Sequence, residues 1–143
     1  MIRRCFAVAL LFCAVTQAAP LPIAHEGKAL QPITISANAS AAAKQTAEEL
    51  ADFLKQITGA ALEVVAGDGS KGIVLGTLAE FPDAALAGPL AIRNTYDGKE
   101  AYAIRTEPHR LRLIAATERG LPHAASRLLE HLGCRWFFPA PAW

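Results

Sequence analysis

Two stretches of the chain carry apolar residues at the spacing of an amphipathic helix. In residues 41–58, charged residues fall between apolar residues that recur at helical spacing and form a stripe along one side of the helix. Phe53 lies at the edge of this apolar stripe. Asn38 or Ser40 can cap the first turn, and Gly59 can take the left-handed conformation that ends many helices. We therefore predict a helix over 41–58 whose buried stripe is formed by Ala47, Leu50, Ala51, Leu54 and Ile57.

The second helical pattern covers residues 121–132. Pro122 suits the first turn of a helix, where a backbone N–H has no partner, and Gly133 suits its end. Residues 134–138 are predicted to be extended, and Pro139 stops them. The predicted buried stripe of this helix is Leu121, Ala125, Leu128, Leu129 and Leu132.

Short apolar runs between the helices predict strands at 33–36, 62–65 and 73–76 and a hairpin within 96–115, with its turn at 107–109. The fold class is therefore α+β: a two-layer sandwich in which a mixed β-sheet carries both helices on one face. Residues 77–89 are expected to be a loop tucked under a sheet edge. The arginines at 105, 110 and 112 alternate with apolar residues, which favours a solvated outer face over an anionic-sugar site.

Residues 67–72 match the G-x-G-x-x-G pattern of dinucleotide-binding loops. That pattern needs a following helix, whose N-terminal N–H groups meet the pyrophosphate. Here the apolar run 73–76 follows, so we interpret the glycines as a turn between strands with positive φ angles.

The first 18 residues have the organisation of a secretory signal peptide. Arg3 and Arg4 precede an apolar run at 5–15, and small residues follow. A membrane anchor is disfavoured because the run is short and Pro20 and Pro22 interrupt any extension. We predict a secreted or periplasmic protein in which residues 19–32 form a lead-in linker.

Removal of the signal peptide leaves 125 residues, which include twelve basic and thirteen acidic residues. This balance argues against nucleic acid or a membrane surface as a partner. Cys134 is the one cysteine that remains, so no internal disulfide forms, and we interpret it as a buried, unreactive thiol. Asn38-Ala39-Ser40 also matches a glycosylation sequon, although helix capping is the favoured role.

No complete active site is visible in the sequence. The four histidines form no ligand pair, and His131 with Cys134 would supply only two metal ligands. The acidic cluster at 48–52 follows from a solvated helix face, and no nucleophile-elbow motif is present. We predict no catalytic residue, no metal and no cofactor in this chain.

The order of elements and three segments carry a resemblance to a known family. The segments are Ile-Thr-Gly-Ala at 57–60, Glu-Arg-Gly at 118–120 and Leu-Gly-Cys-Arg-Trp-Phe-Phe-Pro at 132–139. Over residues 33–139 the chain resembles the N-terminal accessory domain of β-N-acetylhexosaminidase-like and α-glucuronidase-like glycoside hydrolases, and is most similar to a bacterial secreted group without a defined substrate. The resemblance implies a catalytic (β/α)₈ barrel downstream that holds the catalytic acids, with residues 140–143 starting the linker to it.

Two functions are consistent with this resemblance. The domain supports a glycosidase barrel in cis, or it is a stand-alone module that binds carbohydrate or another partner; an inactive structural relative is a third, weaker interpretation. Trp136, on the predicted strand, is expected in the core rather than against a sugar. The candidate contacts with a barrel or a glycan are Arg119, Arg135, Trp136 and Trp143.

Overall fold

A five-stranded mixed sheet forms the centre of the structure, a computed structural model that describes residues 20–135. Its strands are β3 (Ile33–Ile35), β4 (Val64–Ala66), β5 (Gly72–Thr77), β6 (Tyr102–Glu107) and β7 (Arg110–Ala115), in the order β4-β3-β5-β7-β6. Neighbouring strands are parallel except for β6, which runs antiparallel to β7. The predicted mixed sheet and α+β class are confirmed.

The two long helices pack on one face of the sheet, as predicted. Helix α1 covers Ala41–Thr58, the predicted bounds, and α3 covers Leu121–His131 after a 3₁₀ turn at Glu118–Gly120. The Ser40 hydroxyl accepts the N–H of Ala43 at 3.2 Å, so Ser40 rather than Asn38 caps α1. Gly59 is left-handed (φ 73°) and ends it.

The core between helices and sheet contains most of both predicted stripes, including Leu50, Leu54, Leu121 and Leu128. Two predicted members were wrong: Ile57 is 44% exposed and Leu132 is 43% exposed. Both lie at the C-terminal end of their helix. Helix α1 is about 27 Å long, whereas a three-residue strand such as β3 covers about 10 Å, so the helix ends extend beyond the sheet.

The second face of the sheet is covered by residues 78–101, which we call the cover segment. It contains the short helix α2 (Ala84–Ala87) and buries Phe81, Leu86 and Leu90 against Val74 and Ile114. The predicted loop under a sheet edge therefore lies across a sheet face. Val74 and Ile114 place apolar side chains on this face, and without the cover segment these side chains would be exposed to water.

The glycine-rich turn joins two parallel strands that lie on either side of β3. The N–H of Gly67 donates to the carbonyl of Ile35 at 3.0 Å, and the Thr34 hydroxyl donates to the carbonyl of Lys71 at 3.1 Å. A Cβ atom on Gly67 would lie 2.9 Å from the Thr34 methyl, so the connection passes close over β3. Strand β5 follows directly, which confirms a strand-to-strand turn.

Residues 20–32, predicted to be a lead-in, include a small hairpin of β1 (Ala24–His25) and β2 (Lys28–Ala29). Leu21 and Ile23 pack against the core beneath the helices. Strands of two residues show no periodicity, so the hydrophobic pattern gave no sign of them. The predicted signal peptide 1–18 and the aromatic residues 136–138 lie outside the described residues.

Candidate functional site

Two of the four candidate contact residues lie in the described part of the chain, and they are far apart. Arg119 is exposed in the 3₁₀ turn before α3, and Arg135 is exposed after α3. The eleven-residue helix between them is about 16 Å long. The structure therefore does not bring the two arginines together. Trp136 and Trp143 lie outside the described residues.

The chain turns back against the helix layer where α3 ends. Gly133 has a φ of 100°, and the N–H of Cys134 donates to the carbonyl of Leu129 at 3.0 Å. Cys134 packs on the core but is only partly buried, which corrects the prediction of a buried thiol. A groove of about 550 Å³ opens here and is lined by Arg127, Glu130, His131, Cys134 and Arg135.

A second groove, of about 310 Å³, continues along the exposed side of α3 toward β6. His123 Nε2 lies 3.7 Å from a Glu100 carboxylate oxygen, and Arg127 Nη1 lies 2.9 Å from a Glu130 carboxylate oxygen. These pairs are largely solvated, so each contributes little to stability. The predicted buried stripe leaves the polar residues of α3 on the other side of the helix, but nothing in the sequence pattern brought Glu100 and Tyr102 to them. The lining residues are Glu100, Tyr102, His123, Ser126, Arg127 and Glu130.

The most buried charge in the described residues is Arg112, which is 5% exposed. Its Nη1 donates to the Asp83 carboxylate, and its Nη2 donates to the carbonyl of Phe81 at 3.0 Å. A Glu107 oxygen lies 3.8 Å from Nη1, and the Arg112 Nε has no partner. The prediction of a solvated arginine was wrong here because the cover segment lies over this part of the sheet.

The other two arginines of the hairpin are more accessible. Arg105 lies directly opposite Arg112 in the sheet register and reaches the Asp83 carboxylate at 3.4 Å. Arg110 Nε donates to Glu107 at 2.5 Å, and its Nη1 donates to the carbonyl of Gly69 at 2.8 Å. These contacts engage all three guanidinium groups with the protein, so they do not form an open anion site.

Two aspartates have carboxyl groups whose pKa lies below the ordinary value. For Asp83, the backbone N–H of Ala85 is the largest cause of the lowered pKa, and the positive charges of Arg112 and Arg105 add to it. For Asp68, hydrogen bonds from Ser70 lower the pKa. Both side chains therefore remain ionised at neutral pH. Asp83 was not singled out in the sequence, although an Asp before an alanine-rich turn is a helix-cap signal.

Within residues 20–135, no three His, Cys, Asp or Glu side chains are grouped so that they can hold a metal ion. The acidic residues of α1, Glu48, Glu49 and Asp52, are exposed, as predicted for a solvated helix face. The same described range contains no helix with the length and apolar character needed to cross a membrane.

Two solved glycoside hydrolases are similar to this chain in structure, at low sequence identity. A family GH115 4-O-methyl-α-glucuronidase, BtGH115A, with specificity for decorated arabinogalactans, matches 76% of this chain at 18% identity and a TM-score of 0.52. A GH138 enzyme targeting pectin rhamnogalacturonan II matches 71% of this chain at 16% identity and a TM-score of 0.49. The match spans 14% of the glucuronidase and 10% of the GH138 enzyme.

The family described as glycosyl hydrolase family 20, domain 2, matches residues 25–136, and no curated protein matches the chain. The matched range includes β2, the whole five-stranded sheet and the helices α1, α2 and α3. The chain belongs to the glycosyl hydrolase family 20, domain 2, family and is an accessory domain of glycoside hydrolases.

Proposed function

We propose that the chain is the non-catalytic N-terminal domain of a secreted glycoside hydrolase and that it supports a catalytic (β/α)₈ barrel in cis. The family match supports this proposal, and so does the small share of BtGH115A that the fold occupies. The carboxylates that hydrolyse the glycosidic bond would then lie in the barrel. The substrate would be an extracellular or periplasmic glycan.

The observation that carries the proposal is a pair of exposed apolar residues, Ile57 and Leu132, at one end of the helix layer. Helices α1 and α3 follow parallel strands and return in the same direction. Phe53 and Leu129 line one crevice between the helices, so Ile57 and Leu132, one turn further along, lie at the same end. We call this end the helix-end patch.

The helix-end patch lies beside the last described residues of the chain. Cys134 packs on the core, and the exposed Arg135 is the last described residue. Exposed apolar residues that cluster on a surface usually mark a partner surface. A barrel joined to residues 136–143 would begin beside this patch and cover it.

The non-catalytic part of the proposal is tested by assaying the purified chain on a panel of aryl glycosides. We expect no turnover above the blank. Turnover that follows the chain through purification and disappears on its denaturation would contradict the proposal.

The supporting role is tested in the protein encoded by the complete reading frame, where we expect a barrel beyond Trp143. Ile57→Ser combined with Leu132→Ser should lower the melting temperature of the barrel and release the domain to proteases. Ile92→Ser is the matched control because Ile92 is similarly exposed (49%) and lies in the cover segment, on the other side of the sheet. Equal effects of the control and the double variant would contradict docking at the helix-end patch.

Secretion is the second part of the proposal. Residues 1–18 would be removed during export, so the exported protein should begin at Ala19. Mass spectrometry of its N-terminus checks this. Retention of Met1 in a protein that stays in the cytoplasm would contradict it.

Carbohydrate binding is a second candidate function, and the groove between β6 and α3 favours it. Tyr102 offers a partly exposed ring beside His123, Ser126 and the Arg127–Glu130 pair, a combination of one aromatic face and several polar groups. Titration with glycan fragments should then show binding that Tyr102→Ala removes. Tyr96→Ala, which alters a tyrosine that is 89% exposed and outside the groove, should leave it intact.

A further inference from the structure

Strand β6 ends the sheet in the described part of the chain, and its outer side faces no further strand. It contains six residues in unbroken register with β7, from Tyr102 opposite Ala115 to Glu107 opposite Arg110. Natural proteins protect such edges with prolines, bulges, very short strands, charged side chains or a covering segment. Strand β6 has six residues, no proline and no bulge, whereas β4, the opposite edge, has three residues; the charges of β6, Arg105 and Glu107, are paired within the chain.

The turn determines which backbone groups point outward. The two-residue turn at 108–109 closes on the Glu107–Arg110 pair, and the N–H of Ala116 donates to the carbonyl of Ala101 at 2.8 Å. Hydrogen-bonded pairs alternate along an antiparallel ladder, so odd-numbered residues of β6 bond to β7. The N–H and C=O groups of Tyr102, Ile104 and Thr106 therefore point to the free edge.

We infer that this edge pairs with the same edge of a second copy of the chain, antiparallel and in one register. A twofold axis between the strands would place Ile104 opposite Ile104 of the second copy and Tyr102 opposite its Thr106. All three outward-pointing residues are then used in hydrogen-bonded pairs, and the two sheets become one continuous sheet.

The charges of the side chains, and the sheet face on which each side chain lies, favour this register over the two adjacent registers. Opposite residues must lie on the same sheet face, so the register can move only in steps that keep odd with odd and even with even. One step toward the turn places Arg105 opposite Arg105 of the second copy, which is destabilising. One step the other way leaves Thr106 without a partner. In the inferred register Arg105 faces Ala103, and its charge remains balanced by Asp83 at 3.4 Å.

The side-chain surroundings of the edge are compatible with a second strand. Ile104 is partly buried against the core, so pairing extends an apolar surface that already exists. The groove beside Tyr102 leaves space between the edge and the exposed side of α3. The described charges at the edge, Arg105 and Glu107, lie on the other face of the sheet, where each has a partner in its own chain.

The first test measures the mass of the full chain by sedimentation equilibrium. The inferred interface uses only three outward-pointing residues from each copy, so we expect a weak dimer that forms at chain concentrations of about 10–500 µM. Thr106→Pro removes an outward N–H and leaves the ladder to β7 intact, as prolines do at edge strands, so it should weaken the dimer about tenfold or more. Thr106→Ala keeps the N–H and should not. A chain that is monomeric throughout this range, or a dimer equally stable in both variants, overturns the inference.

The second test reads the register directly and does not depend on the proline variant. In a background without the native cysteines, Ile104→Cys should form an intermolecular disulfide on mild oxidation. Opposite Cα atoms lie about 5.5 Å apart in a hydrogen-bonded pair, within the disulfide range. Thr106→Cys is the matched control, because in this register its two copies are about 14 Å apart. Equal cross-linking of the two variants, or none with Ile104→Cys, overturns the inferred register.

Amide hydrogen exchange distinguishes a second copy from another occupant of the edge. Protection of the Ile104 and Thr106 amides should rise with chain concentration. Protection that is already complete in a dilute monomer means that another segment of the same chain covers the edge, which overturns pairing with a second copy.

Discussion

Arg112 and Asp83 form an ion pair that fastens the cover segment to the sheet. Arg112 belongs to β7 and is almost fully buried, whereas Asp83 caps α2 within the cover segment. The same guanidinium donates to the carbonyl of Phe81, so one side chain holds two points of the segment. The apolar contacts of Phe81, Leu86 and Leu90 with the second face lie directly beside it.

We expect Asp83→Asn to lower the melting temperature by about 4–8 °C or more, because it removes the closer of the two carboxylates beside the buried Arg112 charge and leaves only Glu107, at 3.8 Å. Asparagine keeps a cap acceptor, so the loss reports on the charge. Adding Arg112→Met should recover part of the loss, since the buried charge that has lost its closer carboxylate is then absent. Asp52→Asn, on the exposed face of α1, is the control. Thermal unfolding followed by circular dichroism measures all four proteins, and a double variant less stable than Asp83→Asn would contradict this account.

The lowered pKa values of Asp83 and Asp68 predict acid sensitivity. Near pH 4 the folded state binds fewer protons than the unfolded chain, so lowering the pH favours unfolding. This contribution to stability is fully present well above the unfolded aspartate pKa of about 3.9 and is lost as the pH falls through the lower folded values. Melting temperatures from pH 7 to pH 2.5 check it. Asp83→Asn should lose less stability over that interval than the native chain, and an identical pH profile would contradict the role of Asp83.

Leu54→Ala should reduce the free energy of unfolding by about 2–5 kcal/mol, because Leu54 is completely buried between α1 and the sheet. Ile57→Ala, three residues along the same helix, is the control. Its side chain is 44% exposed, so the expected loss is below about 1 kcal/mol. Urea unfolding measures both, and similar losses would show that the stripe is placed wrongly.

Ser40→Ala should cost about 1 kcal/mol, because its hydroxyl accepts a free N–H in the first turn of α1. Asn38→Ala removes an exposed side chain and should change stability by less than about 0.5 kcal/mol. Both variants destroy the sequon, so glycosylation does not distinguish them. Equal losses in urea unfolding would contradict the assignment of Ser40 as the cap.

Periodicity was sufficient to predict the two long helices and the mixed sheet, because in each of these elements the apolar residues repeat along one extended buried face. Leu54 and Leu121 follow from spacing alone, and so does the stop at Gly59. The errors occurred where burial depends on the end of a neighbouring element or on a distant segment. Ile57 continues the helical stripe but extends beyond the sheet, and Arg112 alternates correctly but lies under residues 78–101.

The candidate site was less predictable than the fold for the same reason. Arg119 and Arg135 are conspicuous in the sequence, yet α3 separates them. Glu100, Tyr102 and His123 form one groove only because the β6–β7 hairpin and α3 meet in space. The free edge of β6 depends on the strand order, which local patterns do not specify.

The pairing of Asp83 with Arg112 also sets an order of events on the ribosome. Asp83 is synthesised 29 residues before the arginine that holds it. At about 5–20 residues per second, the interval is roughly 1.5–6 s. During that time β3, α1, β4 and β5 are already available to assemble, whereas the anchor for residues 78–101 does not yet exist. A chain that folds during synthesis would therefore pass through a stage with Val74 uncovered, and at this stage a chaperone would have most to protect.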